Sequence, residues 1–266
     1  MEIPFAIIDC YLGETWSTEK DELFPKCNFG CINFGFWEKM PDILSLEIRE
    51  KSQLHLYKML IEFSGINKTL ASTVLEIGCG RGYGVHLLSI NGHDSYGIDL
   101  FASQIQQCIE NYPNLSSKFK QGLSDKSGFL PNTFDFVISI EAAHHFYSFL
   151  SFAQESYKIL KEEGVLAITT FFFTKEASKR EIKDLIPPSV IGTHFAIPID
   201  EAKRFLEQAG FKNIKIVSIG AFVFQGFCKW ATQPMSKKNH TPKWVEAYEK
   251  SFIDYYMIRA EKKISC

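Results

Sequence analysis

Short apolar runs alternate with amphipathic segments along most of the chain, which is the pattern of an α/β protein. The apolar runs predict strands over 73–77, 95–99, 118–121, 132–139, 164–171, 211–219 and 252–261. Apolar residues at helical spacing predict helices over 42–64, 83–90, 102–112, 149–160 and 200–209. This alternation predicts a doubly wound, seven-stranded and mostly parallel sheet with helices on both faces. The last strand is expected to be antiparallel, at the sheet edge.

Cap residues place several helix ends. Gly65 and Gly210 follow the last periodic residues of their helices, where a glycine can take the left-handed conformation. Asp200 is expected to cap the helix that it begins, because its side chain can accept a backbone N–H.

The first predicted strand holds an acid and is followed by closely spaced glycines. The stretch Thr73-Val-Leu-Glu-Ile-Gly-Cys-Gly-Arg-Gly-Tyr-Gly84 contains Glu76 and glycines at 78, 80, 82 and 84. The second strand ends in Asp99. Strand, glycine turn, helix, strand and acid together make a nucleoside site, because the glycines let a ligand approach and the acid can accept ribose hydroxyls.

The position of Glu76 indicates what kind of nucleoside fits. The glycines do not follow the dinucleotide pattern Gly-x-Gly-x-x-Gly, because Tyr83 stands at the third position counted from Gly78. A carboxylate just before the turn sits poorly beside a pyrophosphate at a helix N-terminus. It suits a ligand with a positive centre or an amino group. S-adenosylmethionine has both, together with a ribose for Asp99.

On these residues the segment resembles motif I and the acidic second-strand motif of class I S-adenosylmethionine-dependent methyltransferases. The resemblance covers about residues 28–263 and implies a Rossmann-like methyltransferase fold with S-adenosylmethionine as cofactor. It implies the following cofactor contacts: Glu76, Gly78, Cys79, Gly80, Gly82, Asp99, Leu100, Gln104, Leu123, Ser124 and Ile140.

The chain departs from the family after the third strand. Relatives usually continue Gly-Asp-Ala, with the acid meeting the adenine amino group, whereas Leu123 stands at that position here. Asp125 comes two residues later. Either Asp125 takes the role, or the backbone and Ser124 do.

Two adjacent histidines follow the fourth strand, in Ile140-Glu-Ala-Ala-His-His-Phe146. Open α/β sheets bind ligands at the carboxyl ends of their strands. Neighbours on a helix point about 100° apart, so at most one of the two should face the site. The segment resembles the Glu-x-x-x-His phrase of small-molecule methyltransferases, which implies His145 as the catalytic base, with His144 and Glu141 as further candidates. In the alternative, both histidines are structural or position the substrate, and Glu141 faces the cofactor or orients a histidine.

Aromatic segments flank this core. Asn33-Phe-Gly-Phe-Trp37 resembles a phrase that folds across the cofactor in methyltransferases of natural products, sterols and phospho-bases, and an arm packed on the domain is the alternative. Residues 171–200 and 220–250 are expected to form substrate caps, with a dimer interface or plain packing as the alternative for the second. The candidate lid and substrate residues are Phe34, Phe36, Trp37, Phe171, His194 and Phe224.

One domain over 1–266 is the simplest division, with an arm and lid helix over 1–65 and a cofactor-binding core over 66–170. The 266 residues are 45% hydrophobic, which supports a large core, and the net charge of −2 gives no basic field for nucleic acid. Seven scattered cysteines have no second pair at zinc spacing, so no metal is expected. With no basic leader and no long apolar run, we expect a cytoplasmic protein without stable membrane insertion. A homodimer stays open.

The predicted function is methyl transfer to an oxygen or nitrogen, less readily a carbon, of a small, apolar or aromatic acceptor. A nicotinamide-dependent oxidoreductase is the sharpest rival and would use Gly78, Gly80 and Gly84 with Asp99. A module that binds the nucleoside without catalysis is the second rival, because fold alone does not give function. Cofactor preference distinguishes the first rival, and absence of methyl transfer despite tight binding distinguishes the second.

Overall fold

The computed structural model describes residues 31, 33–39, 44–66, 70–182, 185, 196–232 and 241–263. The strands are β1 Thr73–Ile77, β2 Asp94–Asp99, β3 Phe119–Gln121, β4 Phe134–Ile140, β5 Leu160–Phe173, β6 Lys212–Ser218 and β7 Ile253–Glu261. The helices are α1 Leu46–Ser64, α2 Tyr83–Ile90, α3 Ala102–Asn111, α4 Phe149–Ile159, α5 Ser178–Glu181, α6 Ile199–Ala209, α7 Gly220–Ala231 and α8 Thr241–Glu249. Short 3₁₀ turns lie at Pro113–Lys118 and Ala143–His145.

The strands form one sheet in the order β3-β2-β1-β4-β5-β7-β6. The first five pair in parallel, and β7 pairs antiparallel with both β5 and β6. The predicted seven-stranded, mostly parallel α/β fold is confirmed.

The predicted edge position of the last strand is wrong. β7 lies between β5 and β6, and β6 forms the edge. The exposure agrees with this order, because most residues of β6 face solvent whereas every residue of β7 is at least half-buried. A strand with a neighbour on each side is shielded from solvent along both edges. β6, Lys212–Ser218, is more polar than β7 and therefore tolerates the open edge better.

Helices cover both faces of the sheet, because alternate strand residues point to opposite sides. Val74 and Ile138 belong to a core that also contains residues of α1, α7 and α8. Leu75 and Val137 belong to a second core with residues of α4 and α6. Among the described helices, none combines the length and apolarity needed to cross a bilayer.

Two helix starts differ in their caps. Ser45 precedes α1, and its side chain accepts the backbone N–H of Ile48 at 3.2 Å. α6 begins at Ile199 after Pro198, so the prediction of Asp200 as its cap is wrong. Asp200 lies instead in the first turn, where a negative charge favours the positive end of the helix. Gly65 and Gly210 end their helices with φ of 87° and 107°, as predicted.

Candidate functional site

The glycine loop after β1 folds back against the end of β2. The backbone N–H groups of Gly78 and Cys79 both donate to the carbonyl oxygen of Ile98, at 2.8 and 3.0 Å. Gly78 has φ of 77°, and a Cβ added there would lie 2.3 Å from the Cβ of Ala142. Glycine is therefore required here by the backbone conformation and by the close approach of the turn after β4.

Asp99 lies half-buried at the carboxyl end of β2, beside this loop. Its Oδ2 accepts the N–H of Gly80 at 3.0 Å, and its Oδ1 accepts the N–H of Phe101 at 3.1 Å. These bonds orient the carboxylate, and a carboxylate oxygen can accept more than one hydrogen bond. The geometry is compatible with a pair of ligand hydroxyls donating to the same group.

The predicted contacts Leu100, Leu123 and Ser124 lie near the carboxyl end of β2. Gln121 donates from Nε2 to the carbonyl oxygen of Leu100 at 2.9 Å. The N–H of Gly122 donates to the carbonyl oxygen of Asp99 at 3.0 Å, and this bond holds the turn that follows β3. Leu123 and Ser124 belong to that turn, which a bridge between Leu123 and Lys126 closes. Asp125 lies half-buried in the same turn, so the two hypotheses for the adenine contact both stand.

Glu76 is fully buried in β1, and burial raises the pKa of its carboxyl to about 8. A hydrogen bond from the Tyr57 hydroxyl to Oε1, at 3.2 Å, and the nearby N–H of Val85 oppose that rise, whereas Asp99 adds to it. Oε2 is buried, and no partner within the described residues meets hydrogen-bond geometry with it. A nearby positive charge would favour the carboxylate and offset its lost solvation.

Gln104, in the first turn of α3, also has a buried oxygen, Oε1, for which the described residues provide no hydrogen-bond donor. Buried polar atoms in folded proteins are rarely left without a partner. The two acceptors on Glu76 and Gln104, together with Asp99, therefore fit a ligand that carries a cationic or amino group and hydroxyl donors. This donor set matches S-adenosylmethionine.

At the end of β4, Glu141 adopts φ of 48°, which is uncommon for a residue other than glycine, asparagine or aspartate. Its Oε1 accepts the backbone N–H of Phe34 at 2.6 Å and the hydroxyl of Tyr255 at 2.7 Å. Burial, and then the charge of Glu141, raise the pKa of Tyr255 well above its usual value, so Tyr255 stays a donor. The described hydrogen bonds of Glu141 thus join a central strand to β7 and to the N-terminal region.

The two histidines lie in the short 3₁₀ turn that follows. Nδ1 of His144 is 2.6 Å from Oγ1 of Thr170, and the His144 ring is buried 4.3 Å from the ring of Phe171. His145 is half-buried, and its ring centroid is only 3.8 Å from that of His144. A single 3₁₀ turn that leads into extended backbone keeps the two rings in contact, and His145 is the more exposed of the two; that at most one of them faces the site stays a prediction.

The segment 33–37, which we call the arm, packs on the domain through backbone and rings. Phe36 donates its N–H to the carbonyl of Ser52 at 2.8 Å, and Trp37 donates to that of Phe222 at 2.7 Å. Phe36 and Trp37 are almost fully buried. The arm is therefore held between α1 and α7.

An aromatic cluster connects the arm to the end of β5. The Phe34 ring stacks on that of Phe227 with centroids 4.0 Å apart, and the Trp244 ring lies 5.3 Å from Phe34 and 4.9 Å from Phe171. Phe224 lies in the same cluster and is fully buried, so contact with an acceptor would require the cluster to open. His194 lies outside the described residues.

Comparisons with known proteins agree with this geometry. Residues 75–168 match a family model described as a methyltransferase domain. A class I methyltransferase domain occupies the centre of the chain. The predicted class, the S-adenosylmethionine-dependent methyltransferases, is confirmed for this domain.

Individual relatives of the methyltransferase are distant. A phthiotriol/phenolphthiotriol dimycocerosates methyltransferase of Mycobacterium ulcerans is 28% identical over 158 residues, which are 56% of this chain and 56% of that protein. The erythromycin 3''-O-methyltransferase of Saccharopolyspora erythraea is 28% identical over 203 residues, 71% of this chain and 64% of that protein. The chain thus spans about half the length of the first of these relatives.

The fold likeness is broader. The crystal structure of geranyl diphosphate C-methyltransferase from Streptomyces coelicolor A3(2), in complex with Mg²⁺, geranyl diphosphate and S-adenosyl-L-homocysteine, superposes with a TM-score of 0.72 at 13% identity. The superposition covers 92% of this chain and 97% of that one. At this identity the likeness establishes the fold alone.

Sequence analysis did not single out four residues that the structure places against the predicted site residues. Tyr57 reaches Glu76, Tyr255 and Arg49 hold Glu141 and Phe34, and Thr170 contacts His144. No motif marks these positions, and their partners lie 15 to 114 residues away along the chain. Arg49 is one of several charged residues on the predicted helix, and its burial at 1% exposed appears only in the structure.

Proposed function

We propose that this protein transfers a methyl group from S-adenosylmethionine to an oxygen or nitrogen of a small, apolar or aromatic acceptor. Transfer to carbon is the less favoured outcome. The proposal extends from the methyltransferase domain to the whole protein and to its acceptor.

One observation carries the proposal. The turn that holds both histidines touches the glycine loop directly, since a Cβ on Gly78 would lie 2.3 Å from the Cβ of Ala142. A group seated on the loop and a group seated beside His144 and His145 would therefore be neighbours. Methyl transfer needs this adjacency, because the nucleophile must stand in line with the methyl group.

When bound, S-adenosylmethionine supplies a methyl group activated by a positively charged sulfur. Asp99 would accept the ribose hydroxyls, and Gln104 would contribute a further acceptor beside it. Glu76 would interact with the positively charged end of the cofactor, through its backbone or through a water molecule. The other predicted contacts, from Gly78 to Ile140, would line the same strand ends and exclude water from the reacting atoms.

We propose His145 as the base for a hydroxyl acceptor. It is the more exposed of the two histidines, whereas His144 is buried and contacts Thr170 at 2.6 Å. A neutral imidazole can take the hydroxyl proton as the oxygen attacks. His144 would fix the position of the His145 ring, which it contacts at 3.8 Å. A neutral amine acceptor would depend less on this base.

The acceptor class rests on the rings around the histidines. Phe34, Phe171, Phe227 and Trp244 pack within ring-contact distance of one another beside His144. These rings are mostly buried, so an acceptor would reach them where the cluster opens, and there they would favour an apolar or aromatic acceptor. The relatives named for a dimycocerosate lipid and for erythromycin agree with that class. A soluble, cytoplasmic protein with a small-molecule acceptor and no nucleic-acid partner remains our expectation.

The first test is calorimetric titration of the purified protein with S-adenosylmethionine, S-adenosylhomocysteine and NADPH. We expect micromolar binding of the two sulfur nucleosides and none of NADPH. Binding of NADPH alone would overturn the proposal in favour of an oxidoreductase.

The second test is transfer of a radiolabelled methyl group to a panel of a long-chain fatty acid, a phenol, a macrolide glycoside and a lipid-like amine. We expect at least one product, and a strong loss of turnover in His145→Ala with a hydroxyl acceptor. Full turnover of His145→Ala with every competent acceptor would disprove the base. Tight nucleoside binding without transfer to any acceptor would favour the binding module.

A further inference from the structure

Glu141 is the point at which four segments of the fold meet. Its backbone N–H donates to the carbonyl of Thr169 in β5 at 2.8 Å. Its Oε1 accepts from Phe34 of the arm at 2.6 Å and from Tyr255 of β7 at 2.7 Å. The next residue, Ala142, touches the glycine loop at Gly78. The turn formed by Glu141 and Ala142 therefore contacts both the glycine loop and the arm.

The backbone of Glu141 is strained in a way that requires an explanation. A φ of 48° is costly for a side chain with a Cβ, and glycine would adopt it freely. Strained residues at strand ends persist where the side chain has a task. The described task of this side chain is to accept two hydrogen bonds, one of which holds the arm.

The arm is also held from its opposite side by a cation. Nη1 of Arg49 donates to the carbonyl of Phe34 at 2.7 Å, and the same guanidinium donates to the carbonyl of Asn33. The Arg49 guanidinium lies 5.4 Å from the ring centroid of Phe227 and 5.8 Å from that of Trp37. Phe34 thus has a negative group at its N–H and a positive group at its carbonyl.

Resting on the proposed function, we propose that Glu141 is a positioning residue that, with Arg49, clamps the arm over the acceptor side of the methyltransferase. The clamp fixes the backbone of Phe34 and thereby the ring that stacks on Phe227. Since Glu141 and Ala142 share one turn, the clamp also sets the arm relative to the glycine loop. Glu141 then acts on acceptor binding and takes no proton in the reaction.

The test is residue-level hydrogen exchange of the Phe34 amide in the ligand-free protein and in Glu141→Gly. Glycine removes the carboxylate and also relieves the strained φ, so the variant should keep its fold. We expect exchange of the Phe34 amide to rise about ten- to hundredfold, as for the loss of a charge-assisted hydrogen bond. The amide of Ile138 in β4 is the internal control and should not change. An equally protected Phe34 amide in a folded variant would overturn the clamp.

Glu141→Gln is the matched variant, because its amide oxygen can still accept from Phe34 and Tyr255. We expect it to restore most of the protection. If Glu141→Gln exchanged as fast as Glu141→Gly, the hydrogen bond to this oxygen would not be what holds the arm.

Two further measurements separate a clamp from a general loss of structure. In a double-mutant cycle with Arg49→Met, the combined effect on Phe34 exchange should be smaller than the product of the single effects. Simple multiplication would mean two independent contacts and would refute a single clamp.

With any acceptor from the panel that the wild type methylates, Glu141→Gly should raise the acceptor KM at least fivefold, with kcat less affected. A fall in kcat at unchanged KM would assign Glu141 to the chemical step and overturn the proposal. Because the exchange measurement needs no acceptor, failure of methyl transfer would be recognised separately from failure of the clamp.

Discussion

The proposed cofactor side and the proposed acceptor side of the site are built in different ways. The residues proposed for the cofactor are Glu76, the glycine loop, Asp99 and Gln104, which fall within one continuous stretch of chain. The acceptor side combines the arm, the turn 141–145, the end of β5, α7, α8 and β7. A nucleoside site can therefore be encoded by a short motif, whereas an acceptor site depends on how distant segments pack.

The two sides also differ in how charge is handled. On the cofactor side, Glu76 is buried beside a tyrosine, and its raised pKa leaves it responsive to a cation. On the acceptor side, the charges of Glu141 and Arg49 are used on the backbone of the arm. Variants on each side should therefore produce separable effects, and the largest effect is expected where the sides touch.

Gly78→Ala should break both sides at once. Its Cβ would overlap Ala142 at 2.3 Å in a φ of 77°, so we expect a loss of about 3 kcal/mol in the free energy of unfolding, together with loss of nucleoside binding. Gly92→Ala is the matched control, since its φ is 88° with nothing within 4 Å. It should cost only about 1 kcal/mol and leave binding intact. Denaturant unfolding and calorimetry measure both, and equal effects would refute the contact between the two sides.

Asp99→Ala should weaken only the cofactor side. Losing a charged acceptor for two hydroxyls should reduce the affinity for S-adenosylhomocysteine about a hundredfold. Asp94→Ala, at the opposite end of the same strand, is the control and should bind normally, because Asp94 pairs with Lys118 at the surface. Calorimetric titration measures the affinity of both variants. An unchanged affinity in Asp99→Ala would show that Asp99 does not bind the ribose hydroxyls.

The pH dependence of the free energy of unfolding should reveal the contribution of Glu76. Its ordinary pKa is 4.5 and its folded pKa is about 8, so between these values the folded state holds a proton that the unfolded chain has lost. The stability contributed by this group is complete below about pH 4.5 and falls as the pH rises to about 8, by at most about 1.4 kcal/mol per pH unit. Denaturant unfolding of wild type and Glu76→Gln from pH 5 to 8 tests this. A constant difference between the two proteins would contradict it.

Phe227→Leu should give the smallest effect and should touch only the acceptor side. It removes the ring stacked on Phe34 at 4.0 Å, which is worth about 1 kcal/mol. We expect the KM for the acceptor to rise about fivefold, while the affinity for S-adenosylhomocysteine stays within about twofold. Steady-state kinetics and calorimetry provide the two numbers. An equal loss on both sides would show that the aromatic cluster supports the cofactor as well.

The bounds of individual elements show how much of the fold could be predicted from the sequence. Periodicity predicted β1 and α2 with their observed bounds, because a buried strand and a helix leave strong local patterns. The place of β7 in the sheet and the first residue of α6 were predicted wrongly. Sheet order depends on long-range packing, and a helix start depends on a single cap residue. The histidine pair was found, but the contact of His144 with Thr170 was not, because Thr170 lies on another strand.

The α/β alternation, the glycine loop with Asp99, and the acid Glu76 before the loop could all be read from the sequence. Each of these depends on neighbours within a few residues or within one strand–turn–helix unit. Three contacts are visible only in the folded protein: Glu141 binds the arm, Arg49 is buried against it, and Thr170 contacts His144. Those contacts join residues far apart in the chain, and packing of the whole sheet, which no local pattern records, brings them together.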